Sequence, residues 1–212
     1  MFSFRQKIVK EETLNVATHA IAFGLSVVGL IEIIILALKE GNIWNIFSYT
    51  IFGSTMVILY ASSTIYHSIH NQKIKKIFQK IDHIAIFLAI AGTYTPITLG
   101  PLRGAWGWSL FGIIWGLAIA GIFVKIFFYK KVKLFSTIIY IAMGWLIVFA
   151  VKPMIDTIPV DGLMLILSGG IIFTTGTYIY SQNKIPYNHA IWHLFVMCGS
   201  ICHYFAIYYF VK

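Results

Sequence analysis

The chain has 212 residues, of which 59% are hydrophobic and 11% charged, with a mean hydropathy of +0.83 and a formal net charge of +9. Soluble domains carry about 25% charged residues, so the composition excludes a soluble globular protein and specifies an integral membrane protein. The basic excess gathers in alternate connections between apolar segments, which is a topology signal and not a nucleic-acid footprint.

Residues 1–13 mix Arg5, Lys7, Lys10, Glu11 and Glu12 with few apolar side chains. They lack the apolar region and small-residue cleavage site of a signal peptide, so the first membrane helix is expected to serve as a retained targeting signal. A spanning helix needs about 20 mostly apolar residues. Seven segments qualify: Val16–Leu38, Ile43–Tyr66, Ile81–Leu99, Ala105–Phe128, Leu134–Val151, Gly162–Tyr180 and His189–Val211. The expectation is an all-α seven-transmembrane helix bundle, with residues 1–212 forming one integral membrane domain. Pro96 near the end of the third segment predicts a kink or an early stop. Gly112, Gly116, Gly121, Gly169, Gly170 and Gly176 fit close helix packing, and Trp106, Trp108 and Tyr208 fit interfacial anchors.

Orientation follows from the basic residues. One side collects Arg5, Lys7, Lys10, Lys73, Lys75, Lys76, Lys80, Lys125, Lys130, Lys131, Lys133 and Lys184; the other has Lys39, Arg103, Lys152 and Lys212. The N-terminus is therefore expected in the cytoplasm and the C-terminus outside. With that topology, His67 at the end of segment two, Asp82 at the start of segment three, and His189 and His193 at the start of segment seven share one depth in the cytoplasmic leaflet. The placement rests on Lys and Arg alone, so the convergence of the polar residues is an independent observation.

His189 and His193 are four residues apart and lie on one helix face, a spacing at which two imidazoles can hold one metal ion. Ionisable residues at membrane depth default to a functional reading. Three neutral imidazoles with one open position make a typical catalytic zinc arrangement, and His67, His189 and His193 can supply it. Asp82 would then orient a water or act as general base. Ser63, one turn before His67, would hold that water or stabilise a developing oxyanion. Imidazoles favour Zn2+ over magnesium or calcium, while iron, nickel and copper accept the same ligands. A substrate entering from the leaflet would be a membrane lipid, as an amide or ester. Each residue also has a structural reading: interhelical contacts for the histidines, and helix caps for Asp82 and Asn188.

Among the remaining polar residues, Glu12, Asn15 and His19 form one face at the start of segment one, structural or supporting the site. His203 lies about 21 Å beyond His189 at about 1.5 Å per residue, too far for the same ion, and reads as an interhelical contact. Glu32 falls in the outer half of segment one, satisfied by a neighbouring helix or snorkelling outward. His70 and His83 are expected at solvated loop edges. Cys198 and Cys202, four apart on a helix, do not meet disulfide geometry and read as reduced packing residues.

Taken together, Glu12-x-x-Asn15-x-x-Thr18-His19, Ser62-Ser63-x-x-x-His67, Asp82-His83 and His189-x-x-x-His193 with His203 downstream resemble the hemolysin III family. That family belongs to the progestin and adipoQ receptor superfamily, which includes the adiponectin receptors. The resemblance runs from Glu12 to His203. It implies a seven-helix bundle with the N-terminus inside, and zinc on His67, His189 and His193, with Asp82 linked through a water and Ser63 nearby. The long cytoplasmic N-terminal region of the animal receptors is missing here, which argues against a hormone-receptor role; the small size suggests a bacterial protein in the plasma membrane. The superfamily is similar to alkaline ceramidases, which implies a metal-dependent membrane hydrolase. The alternatives are a non-enzymatic sensor of membrane state with structural zinc, and a cytolysin, as the family name implies. The chain has no amphipathic β-pattern of a secreted pore-former.

Overall fold

The computed structural model describes the backbone of residues 4–129, 133–182 and 184–212, and their side chains except for residues 4–9 and 133–135. Arg5, Lys7, Lys130, Lys131 and Lys133, which entered the charge reading, therefore lie outside the described side chains. Every regular element among the described residues is helical. The helices are α1 (Phe4–Glu40), α2 (Ile43–Ser68), α3 (Gln72–Leu99), α4 (Ala105–Phe128), α5 (Lys133–Trp145), α6 (Val151–Thr157), α7 (Val160–Ser181) and α8 (Asn188–Phe210). A 3-10 segment, Leu146–Ala150, joins α5 to α6, and these three pieces form the fifth of seven membrane-length spans.

Short, chemically specified turns set the order. Gly41, at φ 68°, ends α1 by donating its N–H to Ala37 O, a left-handed position that suits glycine. Asn42 then caps α2 by accepting from the Trp44 N–H. Asn71 caps α3, accepting from Lys73 N and Ile74 N. Consecutive helices pack as neighbours, and α8 returns to lie between α7 and α1, which closes the ring.

Several sequence expectations are corrected here. The third helix begins at Gln72 and not at Ile81, so Asp82 lies in its interior and caps nothing. Pro96 sits in its last turn without ending it; Gly100 N–H still reaches Pro96 O. Residue 188 does not cap α8 through its side chain, because the cap position is Tyr187 in a left-handed conformation. Asn188 Nδ2 instead donates to Tyr180 O and Gln182 O at the end of α7. The fifth span runs on to Thr157 and is broken in the middle. Tyr94 bridges the break, donating to Met143 O and accepting from the Ile147 N–H.

The core is held by Tyr49, Phe52, Tyr60, Ala89 and Ile207, with a second cluster around Phe87, Ile114 and Met143. Large apolar side chains such as Ile21, Ile119, Phe123 and Phe149 point outward. In a bilayer that exposure is to hydrocarbon and carries no penalty. Close packing uses part of the expected set of glycines. Gly121 meets Phe87, Gly169 meets His203, and Gly176 meets Phe195, whereas Gly112 and Gly116 have nothing within 4 Å. Gly53 against Leu30 and Gly92 against Thr55 are further tight contacts. Tyr208 is a packing residue stacked on Tyr204, while Trp106 and Trp108 are exposed.

Overpacking a tight contact costs about 1–3 kcal/mol. Gly92→Val is therefore expected to lower stability by about that amount, and Gly112→Ala to leave it unchanged or slightly raised. Thermal unfolding of both variants in the same detergent, followed by fluorescence-detected gel filtration, checks the contrast.

Candidate metal centre

Four helices send polar side chains to one end of the bundle. On α1, Glu12, Asn15, Thr18 and His19 recur at helical spacing and share a face. On α2, Ser63 and His67 are one turn apart. Asp82 comes from α3, and His189 and His193 from the first two turns of α8. The ring centroids of His67, His189 and His193 are 4.9, 5.1 and 4.6 Å apart. Each offers a ligand atom, and these atoms lie within 4.8 Å of one another. Three histidines from two helices can therefore hold a metal ion.

Neighbouring side chains fix which nitrogens face inward. His67 Nδ1–H donates to Glu12 Oε2 at 2.7 Å. Glu12 Oε1 in turn accepts from Lys75 Nζ at 3.0 Å. With Nδ1 engaged, the second nitrogen of His67 is left for a ligand; Nε2 is buried and has no partner among the described residues. Thr18 sends its own proton to Leu14 O at 2.8 Å, so its oxygen can accept from His193 Nδ1 at 3.2 Å. His193 is 2% exposed. This is the arrangement that metal-binding histidines show, one ring nitrogen to the metal and the other to an orienting acceptor.

Ser63 is buried, and Asp82 of α3 lies within electrostatic reach of both Ser63 and His67. All five residues singled out from sequence thus gather at this end: three imidazoles in one cluster, with the Ser63–Asp82 pair beside it. The α1 face is drawn in more fully than expected, since Glu12 and Thr18 directly orient two of the imidazoles and His19 stacks on His193 at 3.6 Å. The periodicity of Glu12, Asn15 and His19 signalled a polar face here, while Thr18 entered only through the motif of the resemblance. Lys75 was legible only as a topology lysine, because its pairing with Glu12 depends on where the α2–α3 turn delivers it.

Other polar residues stand apart. His203 Nε2 donates to Ile166 O at 3.1 Å, an interhelical contact as read. His70 is exposed, while His83 lies within α3 and not at a loop edge, half-buried with Nδ1 2.6 Å from Gln79 O. Lys125 is 1% exposed and lies against the rings of Tyr129 and Tyr140, so it is more than a loop charge. Glu32 faces outward and accepts from the Tyr204 hydroxyl at 3.3 Å.

A seven-span helical membrane protein with a largely buried three-histidine cluster at one end is the class that fold and site define. The chain belongs to the Haemolysin-III related family, whose pattern it matches over residues 7–204. It is 48% identical over 205 residues to the Hemolysin-3 homolog of Bacillus subtilis (strain 168), covering 96% of each chain. It is 47% identical to Hemolysin-3 of Bacillus cereus, over 97% of this chain and 94% of that protein. The human monocyte to macrophage differentiation factor is 30% identical over 208 residues, 93% of this chain and 83% of its own. The chain is accordingly a multi-pass protein of the bacterial cell membrane.

Loss of an outer carboxylate partner of a metal-binding histidine lowers metal affinity about 10–100-fold. Glu12→Gln is expected to weaken Zn2+ binding in that range, and Lys75→Ala by less. Competition against a chromogenic chelator, with the variants folded as judged by gel filtration, measures both.

Proposed function

We propose that this chain is a zinc-dependent hydrolase of a lipid amide or ester, working at the cytoplasmic leaflet. One observation carries the reading. Two imidazoles have their Nδ1 atoms held by Glu12 and Thr18, and a buried, unpartnered Nε2 of His67 faces a cluster beside a carboxylate. Histidines that merely bridge helices satisfy their polar atoms within the protein, as His203 does. His67, His189 and His193 would hold the ion. When bound, zinc supplies Lewis-acid chemistry, acidifying an attacking water and polarising a carbonyl.

The remaining work falls to the chain itself. Asp82 takes the water's proton and returns it to the leaving amine or alcohol. Ser63, one turn before His67 and beside Asp82, holds that carboxylate toward the cluster. Glu12 and Thr18 hold the ring orientations. The basic residues of this end, Lys10, Lys73, Lys75, Lys76, Lys80 and Lys184, support a cytoplasmic placement and an affinity for anionic lipid headgroups. The relatives named Hemolysin-3 favour a second reading, cytolysis. Lysis of red cells by purified protein, retained in His193→Ala, would support that reading over the first.

Elemental mass spectrometry of protein purified without chelators tests the centre. About one zinc per chain is expected, lost in both His67→Ala and His193→Ala. A wild type without metal overturns the hydrolase. Asp82→Asn is expected to keep the metal and to lower turnover of a long-chain amide or ester by about 10²–10⁴-fold, read by chromatography of the released fatty acid.

A further inference from the structure

His19 has an unmet requirement. It is 4% exposed, and neither ring nitrogen has a hydrogen-bond partner among the described residues. A neutral imidazole carries one donor and one acceptor, and burying such groups unmatched costs free energy that native proteins avoid. The ring lies flat against His193, with centroids 3.6 Å apart and an interplanar angle of 19°. It also makes a T-shaped contact with Tyr60, centroids 5.3 Å apart. His19 thus stands at the boundary of the histidine cluster without belonging to it.

Beyond that boundary lies a cavity of about 290 Å³ between α1, α2 and α8. Ala22, Ser26 and Gly29 line it from the α1 stripe that begins at His19, and Met56, Tyr60 and Ser200 line it from the other two helices. The exposed side chains of Leu25 and Phe205 form its lip, so it opens sideways to the hydrocarbon of the bilayer. The hydroxyls on its wall are already engaged. Ser26 Oγ donates to Phe23 O, Tyr60 OH to Ser200 Oγ, and Tyr204 OH to Glu32. The wall therefore presents a largely apolar lining, and His19, with both ring nitrogens unmatched, lies just behind it, one turn from Ala22 and against the ring of Tyr60.

We propose that His19 is a ligand-binding residue that donates to the carbonyl of a lipid acyl group whose hydrocarbon chain lies in the cavity between α1, α2 and α8. Hydrocarbon matches both the lining and the medium onto which the cavity opens. A carbonyl matches the buried donor of His19, which lies behind Ala22 and Tyr60 of that lining, and stacking on His193 brings that carbonyl next to the three-histidine cluster. The assignment rests on the hydrolase reading for the kind of lipid, but it concerns binding and requires no turnover.

The test uses the full chain in phospholipid nanodiscs and a palmitamide bearing a mid-chain diazirine and a terminal alkyne. Light-dependent labelling gives an apparent Kd, mass spectrometry locates the adducts, and metal content is measured on every sample. The wild type is expected to carry adducts on residues lining this cavity. His19→Phe keeps the stacked ring and removes the donor; it is expected to weaken labelling about tenfold, the value of one lost buried hydrogen bond, with metal content unchanged. His19→Gln, which restores a donor, is expected to recover part of the affinity. Ser26→Trp fills the cavity from its wall with His19 intact and is expected to abolish labelling there, which keeps the idea testable if the His19 variants do not fold. Equal labelling of wild type and His19→Phe overturns the proposal, as does unchanged labelling of Ser26→Trp. So do adducts confined to the separate cleft around Trp145 and Met164. A His19→Phe protein that loses its metal as His193→Ala does would make His19 a support of the centre and also overturn it. Failure of turnover with labelling intact would remove the hydrolase and leave the binding role standing.

Discussion

The contact between Glu12 and His67 does more than orient one ring. It joins the first helix to the second at a depth where an unpartnered carboxylate or imidazole is costly. Glu12 is satisfied on both oxygens, by His67 and by Lys75. Lys75 lies just past the α2–α3 turn, so one carboxylate binds three consecutive helices together. Thr18 repeats the device one and a half turns further along, reaching α8 through His193. The ring of helices closes where these polar contacts lie, because α8 meets α1 there. At this end the fold and the histidine cluster depend on the same bonds.

The opposite end is closed by different chemistry. Tyr49 donates to Val211 O, and Glu40 pairs with Lys212 at 3.1 Å while accepting from Asn45 at 2.8 Å. These contacts pin the last turn of α8 to the α1–α2 turn and leave its first turns to be positioned by the histidines. The fifth span is built differently. It is interrupted by a 3-10 segment, a feature that often marks a hinge, and the Tyr94 hydroxyl replaces the backbone bonding lost at the break. A cleft of about 520 Å³ flanks that interruption and reaches the ring of His203. Interhelical hydrogen bonds are therefore carried at one end by α1, α2, α3 and α8, and around the fifth span by Tyr94, Tyr140 and Trp145.

Seven spans were legible because membrane burial writes itself as composition, and because the polar loops are short. The shared depth of His67, Asp82, His189 and His193 was legible for a related reason: topology turns sequence position into height. Helix ends were less so. Polar residues 72–80 carry four lysines yet continue α3 by several turns, since a helix leaving the membrane keeps its backbone bonds and has no need to be apolar. Glycines followed the same logic. Gly92 and Gly112 both lie in apolar runs, and only the rotation of each helix decides which meets Thr55 and which meets lipid. Rotation is set by partners distant in sequence, so it leaves little local trace.

Rotation of α1 shows what supplies that missing information. Much of its length faces lipid, with Ile21, Leu25, Val28, Ile31 and Ile35 all exposed, and hydrocarbon exerts little preference among such faces. Leu30 packs on Gly53, and Ile33 and Ala37 are buried, which holds the outer half of the helix and leaves some freedom to the inner half. Glu12, Asn15, Thr18 and His19 remove the freedom, because any other rotation would expose them to lipid and strip His67 and His193 of their acceptors. The same stripe then continues through Ala22, Ser26 and Gly29, small residues that leave room where larger ones would have filled it. Fixing the polar turns thus fixes where the cavity opens. The placement of an apolar space in the middle of the membrane is determined by hydrogen bonds made two turns away.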